Sequence, residues 1–245
     1  MRFTKMEGLG NDFVVVDSDV ELDSDRVRRL CDRHFGVGAD GVLRVGVRDG
    51  DVVMDYWNAD GGVAEMCGNG LRCVAMYALE NGLVSERDFI VVTAAGRRRV
   101  TASERPRVEL GPVILGESFS WAGSTFYPVT VGNPHAVTMV DDPEKIDVAG
   151  IGSELERATP GGVNVGFFAA EPEALRLRVW ERGVGETLAC GSGMVAATAV
   201  ACHFGLADGK VTVRVAGGES TVEFSGETSW LTGPARIVFV GEVEL

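Results

Sequence analysis

The sequence predicts a mixed α/β fold of two similar halves, each a curved and mostly antiparallel sheet or barrel around one central helix. The main observation is a repeated motif, Cys-Gly-Asn-Gly at 67–70 and Cys-Gly-Ser-Gly at 190–193. Each copy is followed by an apolar stretch that ends in Gly-Leu, at 82–83 and 205–206. Trp57 and Trp180 also precede the two cysteines by equal distances. This pattern indicates an internal duplication.

Two further landmarks support the duplication. Asn11 precedes Cys67, and Asn133 precedes Cys190, at distances that agree within one residue, and the same holds for Gly38 and Gly162. A single short motif is weak evidence for duplication, but several landmarks in the same order and at the same spacing are specific evidence. We therefore expect a first half at 1–111, joined by the last strand at 234–245, and a second half at 112–233. A ligand site in the cleft between such halves is the default expectation.

Composition limits the classes of partner. The chain has 245 residues and a net charge of −13, so a nucleic-acid partner or an anionic membrane surface is disfavoured. The N-terminus lacks the apolar core of a signal peptide, and no stretch has the length needed to span a bilayer. The five cysteines lack disulfide-scaffold or zinc spacing, so we expect reduced thiols in the cytoplasm.

The first half is predicted from turns and periodicity. Gly8 to Asn11 separates two strand pieces within 1–17, and Asp23-Ser24-Asp25 caps a helix that ends near His34. Asp49-Gly50 joins a hairpin. The remaining predicted elements are strands 42–47, 51–57, 89–93, 98–102 and 107–110, and a helix from Cys67 to about Glu80.

The second half repeats this order. Its predicted elements are strands 129–131, 136–140, 165–168, 175–180, 211–215 and 220–224, a candidate helix 146–156, a loop 181–188, a helix 190–203 and a last strand 235–240. The stretch from Met194 to Phe204 is apolar nearly all round, which is typical of a helix enclosed by a sheet.

The cysteines suggest acid–base chemistry. A thiol in the first turn of a helix lies at the positive end of the dipole, so we expect Cys67 and Cys190 to have pKa values below the free value of ~8.5. The glycines allow a ligand close to the backbone. The N–H groups of Gly68-Asn69 and Gly191-Ser192 can bind a carboxylate.

Two such helix starts facing one α-carbon would define a reaction. One thiolate removes the α-proton while the other thiol protonates the opposite face, which inverts the stereocentre. No cofactor or metal is required. None of Lys5, Lys145 and Lys210 has a recognisable pyridoxal-phosphate setting, which disfavours Schiff-base chemistry. The three histidines have no zinc-ligand spacing.

Polar residues at turns are candidates for substrate binding. An Arg-Asn set can hold a second carboxylate, and a glutamate can hold an ammonium. Alternatively, asparagines at turns only tolerate left-handed backbone. Their repeat-related placement favours binding. His135 either tunes a nearby thiol or is structural. The binding candidates are Asn11, Asn58, Asn133, Asn164, Glu181 and Arg182.

Longer motifs carry a family resemblance. They are Gly-Asn-Asp-Phe at 10–13, the run at 31–40, Asn-Ala-Asp-Gly at 58–61, Glu-Met-Cys-Gly-Asn-Gly-Leu-Arg-Cys at 65–73, Gly-Asn-Pro-His at 132–135, Val-Asn-Val at 163–165, and Glu-Arg-Gly-Val-Gly-Glu-Thr-Leu-Ala-Cys-Gly-Ser-Gly at 181–193. Through these residues the chain resembles the diaminopimelate epimerase family over essentially its whole length.

The resemblance implies interconversion of LL- and meso-2,6-diaminopimelate in lysine and peptidoglycan precursor synthesis, without pyridoxal phosphate. It implies that Cys67 is the base toward the LL substrate, that Cys190 is the proton donor, and that His135 and Glu181 modulate the thiols. It also implies a homodimer. The substrate contacts that it implies are Asn11, Asn58, Gly68, Asn69, Asn133, Asn164, Glu181, Arg182, Gly191 and Ser192.

The chain departs from the family at Gly41. Many members carry a substrate-contacting Gln there, so either a neighbour or water replaces that contact or affinity is weaker.

Three alternatives remain open. Proline and hydroxyproline racemases are similar in architecture and also use two cysteines, but Glu181-Arg182 favours a substrate charged at both ends. Phenazine-type isomerases lack the cysteine pair. A non-catalytic amino-acid binding protein gives no reason for matched thiols.

Overall fold

The computed structural model describes residues 1–244, and its chain divides into two compact units. The first unit is Met1–Val108 with Gly233–Leu245, and the second is Glu109–Thr232. Both units consist mostly of strands with two α-helices each. The predicted mixed α/β class is confirmed.

The first stretch of the chain forms eight strands and two helices. The strands are β1 Arg2–Gly8, β2 Asn11–Asp17, β3 Gly41–Arg48, β4 Asp51–Asn58, β5 Val63–Ala64, β6 Asp88–Thr93, β7 Gly96–Thr101 and β8 Arg107–Gly111. The helices are α1 Ser24–Cys31 and α2 Gly68–Glu80.

The chain then forms the second unit and returns to the first. The strands of the second unit are β9 Ile114–Leu115, β10 Phe119–Trp121, β11 Ser124–Val131, β12 Asn133–Met139, β13 Asn164–Glu171, β14 Ala174–Glu181, β15 Gly185–Thr187, β16 Lys210–Val215, β17 Gly218–Ser225 and β18 Thr228–Thr232. Its helices are a 3₁₀ turn Pro143–Lys145, α3 Val148–Ala158 and α4 Gly191–His203, and β19 Arg236–Glu242 belongs to the first unit.

Strand pairing follows one order in both units. In the first unit, β1–β2 is antiparallel, β2–β3 parallel, β3–β4 antiparallel, β4–β6 parallel and β6–β7 antiparallel. In the second unit, the pairs β11–β12, β12–β13, β13–β14, β14–β16 and β16–β17 have the same orientations in the same order. Even β19 on β1 has a counterpart in β9 on β11. The repeat in the sequence is therefore a repeat of topology.

Helices α2 and α4 have matching lengths and ends. Each has 13 residues and begins directly after its cysteine. Gly82 and Gly205 have φ values of 68° and 69°, a conformation that glycine adopts at little cost. The next N–H groups, of Leu83 and Leu206, each donate at 2.9 Å to a carbonyl of the last helical turn, as in a Schellman motif.

Each of these helices packs against the strands of its own unit. Helix α4 contacts β11–β14 and β16–β18, and Met194, Val195, Ala197 and Val200 are fully buried. Helix α2 contacts β1–β4 and β7. Each large side chain buried in this way contributes about 1.5–3 kcal/mol. The expectation that the apolar helix is enclosed by a sheet is confirmed for α4.

Local boundaries differ from the sequence prediction where side chains cap the backbone. Helix α1 does not extend to His34, because Asp32 is the C-cap and accepts the N–H groups of His34 and Phe35 at 2.7 and 2.8 Å. Helix α3 begins at Val148, since Asp147 accepts the N–H of Gly150 at 2.9 Å.

Short strands were not predicted from the sequence. Strands β5, β9, β10, β15 and β18 have two to five residues, too few to show a period of two against the surrounding turn residues. The region 181–188, predicted as a loop, contains β15. Within residues 1–244, no helix is both long and apolar enough to cross a membrane.

We expect Gly41→Ala to destabilise the fold by about 1–3 kcal/mol, because overpacking a buried strand is costly. A Cβ at Gly41 would lie 2.5 Å from the backbone oxygen of Trp57 and 2.7 Å from Cε2 of Tyr56. Gly166→Ala is the matched control, since its Cβ would meet only Val137 and Leu177 at ordinary distances of 3.5 Å or more. Urea unfolding of both variants measures the difference, and equal stability would contradict this account.

Candidate active site

The repeat places the candidate residues at equivalent positions of the two units. Val42 pairs with Trp57 and Val165 pairs with Trp180, so the preceding residues Gly41 and Asn164 are equivalent. The other equivalent pairs are Cys67 with Cys190, Asn11 with Asn133, Asn58 with Glu181, and Asn69 with Ser192.

Both cysteines are N-cap residues with extended backbone. Their carbonyls accept the first helical hydrogen bonds, at 2.8 Å from Leu71 and 3.0 Å from Met194. The third helical residue of each copy is glycine, and a Cβ at Gly193 would lie 3.3 Å from Sγ of Cys190. The glycine therefore leaves room beside the thiol.

In the first unit, the thiol contacts an asparagine held in a defined orientation. Sγ of Cys67 donates to Oδ1 of Asn11 at 3.5 Å, and Nδ2 of Asn69 donates to the same oxygen at 3.3 Å. Nδ2 of Asn11 donates to Oδ2 of Asp40 at 2.9 Å. Because a carboxylate can only accept, Asp40 directs the amide oxygen of Asn11 toward Cys67.

A partly exposed ion network supports Asp40. Nη2 of Arg33 lies 2.7 Å from carboxylate oxygens of both Asp12 and Asp40, and Lys5 pairs with Asp12. Burial opposes ionisation of Asp12, but hydrogen bonds from Arg33 and Lys5 outweigh it and lower its pKa to about 2. These residues hold the 10–13 and 31–40 motifs together.

In the second unit, the thiol adjoins a serine–histidine–asparagine chain. Sγ of Cys190 lies 3.6 Å from Oγ of Ser192. Nε2 of His135 lies 3.0 Å from both Oγ of Ser192 and Oδ1 of Asn133. The amide oxygen accepts, so this contact favours the tautomer that carries hydrogen on Nε2.

Burial gives Cys190 the opposite shift from the one expected. The side chain is nearly inaccessible, and desolvation, followed by the negative charge of Glu181, raises the pKa of Cys190 well above its ordinary value. The sequence-based expectation of a lowered pKa is therefore wrong for Cys190. A helix dipole stabilises a nearby charge by up to about 2 kcal/mol, which corresponds to a pKa shift of about 1.5 units. Full burial of a charge shifts the pKa by several units and therefore outweighs the dipole.

His135 is a neutral residue near neutral pH. It is 2% exposed, and burial, followed by the charge of Arg182, lowers its pKa to about 3. Any effect of His135 on Cys190 at neutral pH therefore passes through hydrogen bonds by way of Ser192.

The remaining second-unit candidates form a cluster at the end of β14. Oε1 of Glu181 accepts a hydrogen bond from Thr187 at 2.5 Å. Asn164 is buried, accepts the N–H of Arg182 at 3.0 Å and donates to the carbonyl of Pro134 at 2.8 Å. The guanidinium of Arg182 is anchored at one nitrogen, by the carbonyl of Gly161 at 3.1 Å, and its residue is exposed.

At the corresponding end of β4 in the first unit, Asn58 is the last residue of the strand and pairs with Gly41 of β3. Asn58 is exposed, and its backbone N–H closes a loop onto the carbonyl of Gly62 at 2.9 Å. A side chain at Gly41 does not fit this backbone, because its Cβ would meet the carbonyl of Trp57. Gly41 therefore provides no side-chain contact to a ligand.

Sequence reasoning missed Asp40, Thr187 and Arg72 as individual site residues. Asp40 orients Asn11, Thr187 binds Glu181, and Arg72 is fully buried in α2. The available signal for Arg72 was a charged residue within the otherwise apolar stretch 71–79 of α2. Within residues 1–244, no three His, Cys, Asp or Glu side chains are grouped so that they could hold a metal ion.

Solved structures share this two-unit fold. A phenazine biosynthesis protein from Bacillus anthracis has a TM-score of 0.79 at 15% identity, covering 100% of this chain and 99% of that chain. A hydroxyproline epimerase from Agrobacterium vitis, solved with bound trans-4-hydroxy-L-proline, has a TM-score of 0.77 at 16% identity, covering 98% and 91%. These likenesses define a structural class, the fold that the chain shares with both proteins.

Sequence relatives define the family within this class. The family model for diaminopimelate epimerase matches residues 3–115 and 127–238. The chain is 40% identical to a diaminopimelate epimerase of Acinetobacter baumannii and 39% identical to one of Teredinibacter turnerae. These alignments cover all of this chain and 98% and 99% of those proteins. The chain belongs to the diaminopimelate epimerase family, a family of isomerases.

The buried neutral His135 predicts a specific loss of stability in acid. Below the unfolded pKa of ~6.5 the unfolded chain binds a proton that folded His135 does not bind until about pH 3, so stability falls as pH decreases across this window. We expect the stability advantage of wild type over His135→Gln to shrink by about 2 kcal/mol between pH 7.5 and pH 5.

Urea unfolding at both pH values measures this change. The control is His34→Gln, which makes the same substitution at an exposed histidine. If the stability difference between wild type and His135→Gln does not change with pH, folded His135 takes up its proton as readily as the unfolded chain does, which would contradict this prediction.

Proposed function

We propose that the protein interconverts LL- and meso-2,6-diaminopimelate with the thiols of Cys67 and Cys190 as its two acid–base groups and with no cofactor. The observation that carries this proposal is the pair of equivalent helix-start cysteines in a chain of this family. The activity would supply precursors for lysine and peptidoglycan.

In the LL direction, the thiolate of Cys67 removes the α-proton and the thiol of Cys190 delivers a proton to the opposite face of the same carbon. One C–H bond breaks and another forms, and the negative charge moves from Cys67 to Cys190. The meso direction reverses these roles. A raised pKa for Cys190 supports the donor role, because a protonated thiol is then the resting form.

The helix starts also provide the anion site for the reacting carboxylate. The N–H groups of Gly68-Asn69 and Gly191-Ser192 belong to first helical turns, whose donors have no partner within the helix. Their positive dipole ends would stabilise charge that develops on the carboxylate as the proton leaves.

The distal end of the substrate would bind to the polar side chains near the end of β14 and to the asparagines at the repeat-related turns. We assign the distal carboxylate to Arg182 and the ammonium to Glu181, with amide contacts from Asn11, Asn58, Asn133 and Asn164. The exposed guanidinium of Arg182 supports this assignment. His135, through Ser192, and Glu181, through its charge, would modulate Cys190.

The decisive test is incubation of LL-diaminopimelate in deuterated water. We expect wild type to form meso product with deuterium at the inverted α-carbon, because the donated proton comes from a thiol that exchanges with solvent. Cys67→Ala and Cys190→Ala should each reduce product formation by at least about 100-fold, the usual effect of losing a general acid or base. Mass spectrometry and chiral chromatography measure both quantities.

Controls separate the alternatives. Cys202→Ala removes a partly buried thiol that has no assigned role and should leave turnover unchanged. L-Proline and trans-4-hydroxy-L-proline should not exchange, because neither has a second charged end for Arg182. Exchange of proline without turnover of diaminopimelate would favour a proline-type racemase. Tight binding of diaminopimelate with no exchange would favour a binding protein.

We also propose a cytoplasmic homodimer. Strand β19 pairs with β1 along one edge and exposes apolar side chains on both faces, namely Ile237, Val238, Phe239 and Val240. Apolar clusters of this kind mark association surfaces, and a second copy of the chain is the occupant we assign. The cytoplasm is the proposed compartment because both catalytic thiols must remain reduced.

Sedimentation velocity tests the dimer. We expect wild type to sediment as a dimer at micromolar concentration and Val238→Glu to shift it toward monomer, because a buried unpaired charge opposes association. Ile114→Glu is the matched control, since Ile114 is 63% exposed on β9, the strand equivalent to β19. A monomeric wild type, or equal effects of both variants, would contradict the proposed interface.

A further inference from the structure

Arg72 is a fully buried cation directly behind the first turn of α2. Its side chain is 0% exposed. Nε donates to the carbonyl of Pro234 at 3.2 Å, and Nη1 lies 3.4 Å from the carbonyl of Gly68, the residue after Cys67. Nη2 has no hydrogen-bond partner among residues 1–244. Gly8 lines this space, and a Cβ there would lie 3.1 Å from Nη2.

This placement is unfavourable unless an anion compensates it. A cation near a helix N-terminus is repelled by the dipole, and a buried guanidinium retains its charge. In the part of the chain that the structure describes, Arg72 forms no ion pair with a carboxylate. Burial lowers the pKa of Arg72, and the groups that oppose this are Cys73, Cys67 and Glu7, while Arg105 adds to it.

Cys67 is the best candidate among these groups. Cys73 is fully buried, and burial raises its pKa to about 12, so it is a neutral thiol near pH 7. Glu7 has other partners, since Oε2 accepts the N–H of Gly10 at 2.9 Å and Oε1 lies 3.8 Å from Nε of Arg236. Cys67 is partly exposed at the helix start, where a thiolate has both the dipole and the guanidinium to stabilise it.

The second unit lacks this cation. The residue equivalent to Arg72 is Val195, which is fully buried in α4. The charged neighbour of Cys190 is instead Glu181, a carboxylate. The two equivalent thiols therefore have charged neighbours of opposite sign.

We propose that Arg72 is a positioning residue that stabilises the thiolate of Cys67, so that Cys67 is the ionised thiol and Cys190 the protonated thiol of the free enzyme. Asn11 acts in the opposite direction, because its Oδ1 accepts the S–H hydrogen bond and favours the thiol. In the ionisation of Cys67, the helix start and Arg72 favour the thiolate, whereas Asn11 favours the thiol. The consequence of this ionisation for catalysis rests on the proposed function, whereas the ionisation itself does not.

Alkylation measures the ionisation of each cysteine separately. Iodoacetamide rates between pH 5 and pH 10, resolved by peptide mass spectrometry, give one titration curve for Cys67 and another for Cys190. In wild type, Cys67 should titrate at lower pH than Cys190. In Arg72→Met, the alkylation rate of Cys67 at pH 7 should fall by at least about tenfold, and the Cys190 curve should not move.

Two variants separate charge from structure. Arg72→Lys retains the positive charge and should restore most of the Cys67 rate. Arg97→Met makes the neutralising change at an exposed arginine that pairs with Asp51, and should leave both curves unchanged. A folded Arg72→Met with the wild-type Cys67 curve would overturn the proposal, as would a wild type in which Cys190 titrates first.

A second measurement does not depend on any Arg72 variant. If folding lowers the pKa of Cys67, the thermal stability of wild type relative to Cys67→Ser rises from about pH 6 to pH 8.5, because the unfolded thiol still binds a proton there. A flat difference would overturn the proposal even if Arg72→Met fails to fold. These readouts use no substrate, so shifted thiols without turnover of diaminopimelate would refute only the proposed function.

Discussion

The structure depends on the N-termini of two helices, α2 and α4, each of which packs against the strands of its own unit. The first backbone N–H groups of a helix have no partner within it, so a buried helix needs a polar environment at that end. Here the N-cap is a cysteine in both units, without a side-chain capping bond. Glycines after each cysteine leave room for the thiol, and burial of the apolar helices among their own strands fixes where each thiol lies.

Duplication supplied equal backbones, and divergence of neighbours made the two thiols unequal. Strand order, helix length and the glycines that follow the helix C-caps agree between the units. Beside Cys67, however, Asn11 is oriented by Asp40, and Arg72 lies behind the helix start. Beside Cys190, the neighbours are Ser192, neutral His135 and the carboxylate of Glu181. A reaction that takes a proton from one face and returns one to the other starts with one ionised and one protonated thiol, and the two states are exchanged when the direction reverses.

Local sequence signals predicted the elements that have strong periodicity or punctuation. Glycines with positive φ at Gly10, Gly50, Gly82 and Gly205 mark turns and caps that the sequence predicts correctly. Elements that depend on a tertiary partner were not predictable. Strand β15 has three residues and is defined by pairing with β14. The end of α1, by contrast, was misplaced for a local reason, since the side chain of Asp32 accepts the N–H of His34.

The sequence by itself determined the duplication, the fold class, the two helix-start cysteines and the family, because motif spacing and apolar periodicity are properties of the chain. Only the tertiary structure decided the protonation of the candidate groups. The pKa of Cys190 is raised and that of His135 lowered by burial, and burial is a sum over residues distant in the chain. It likewise decided that Gly41 has no space for a side chain and that Arg72 donates to the carbonyl of Pro234, since both depend on which backbone segments approach each other.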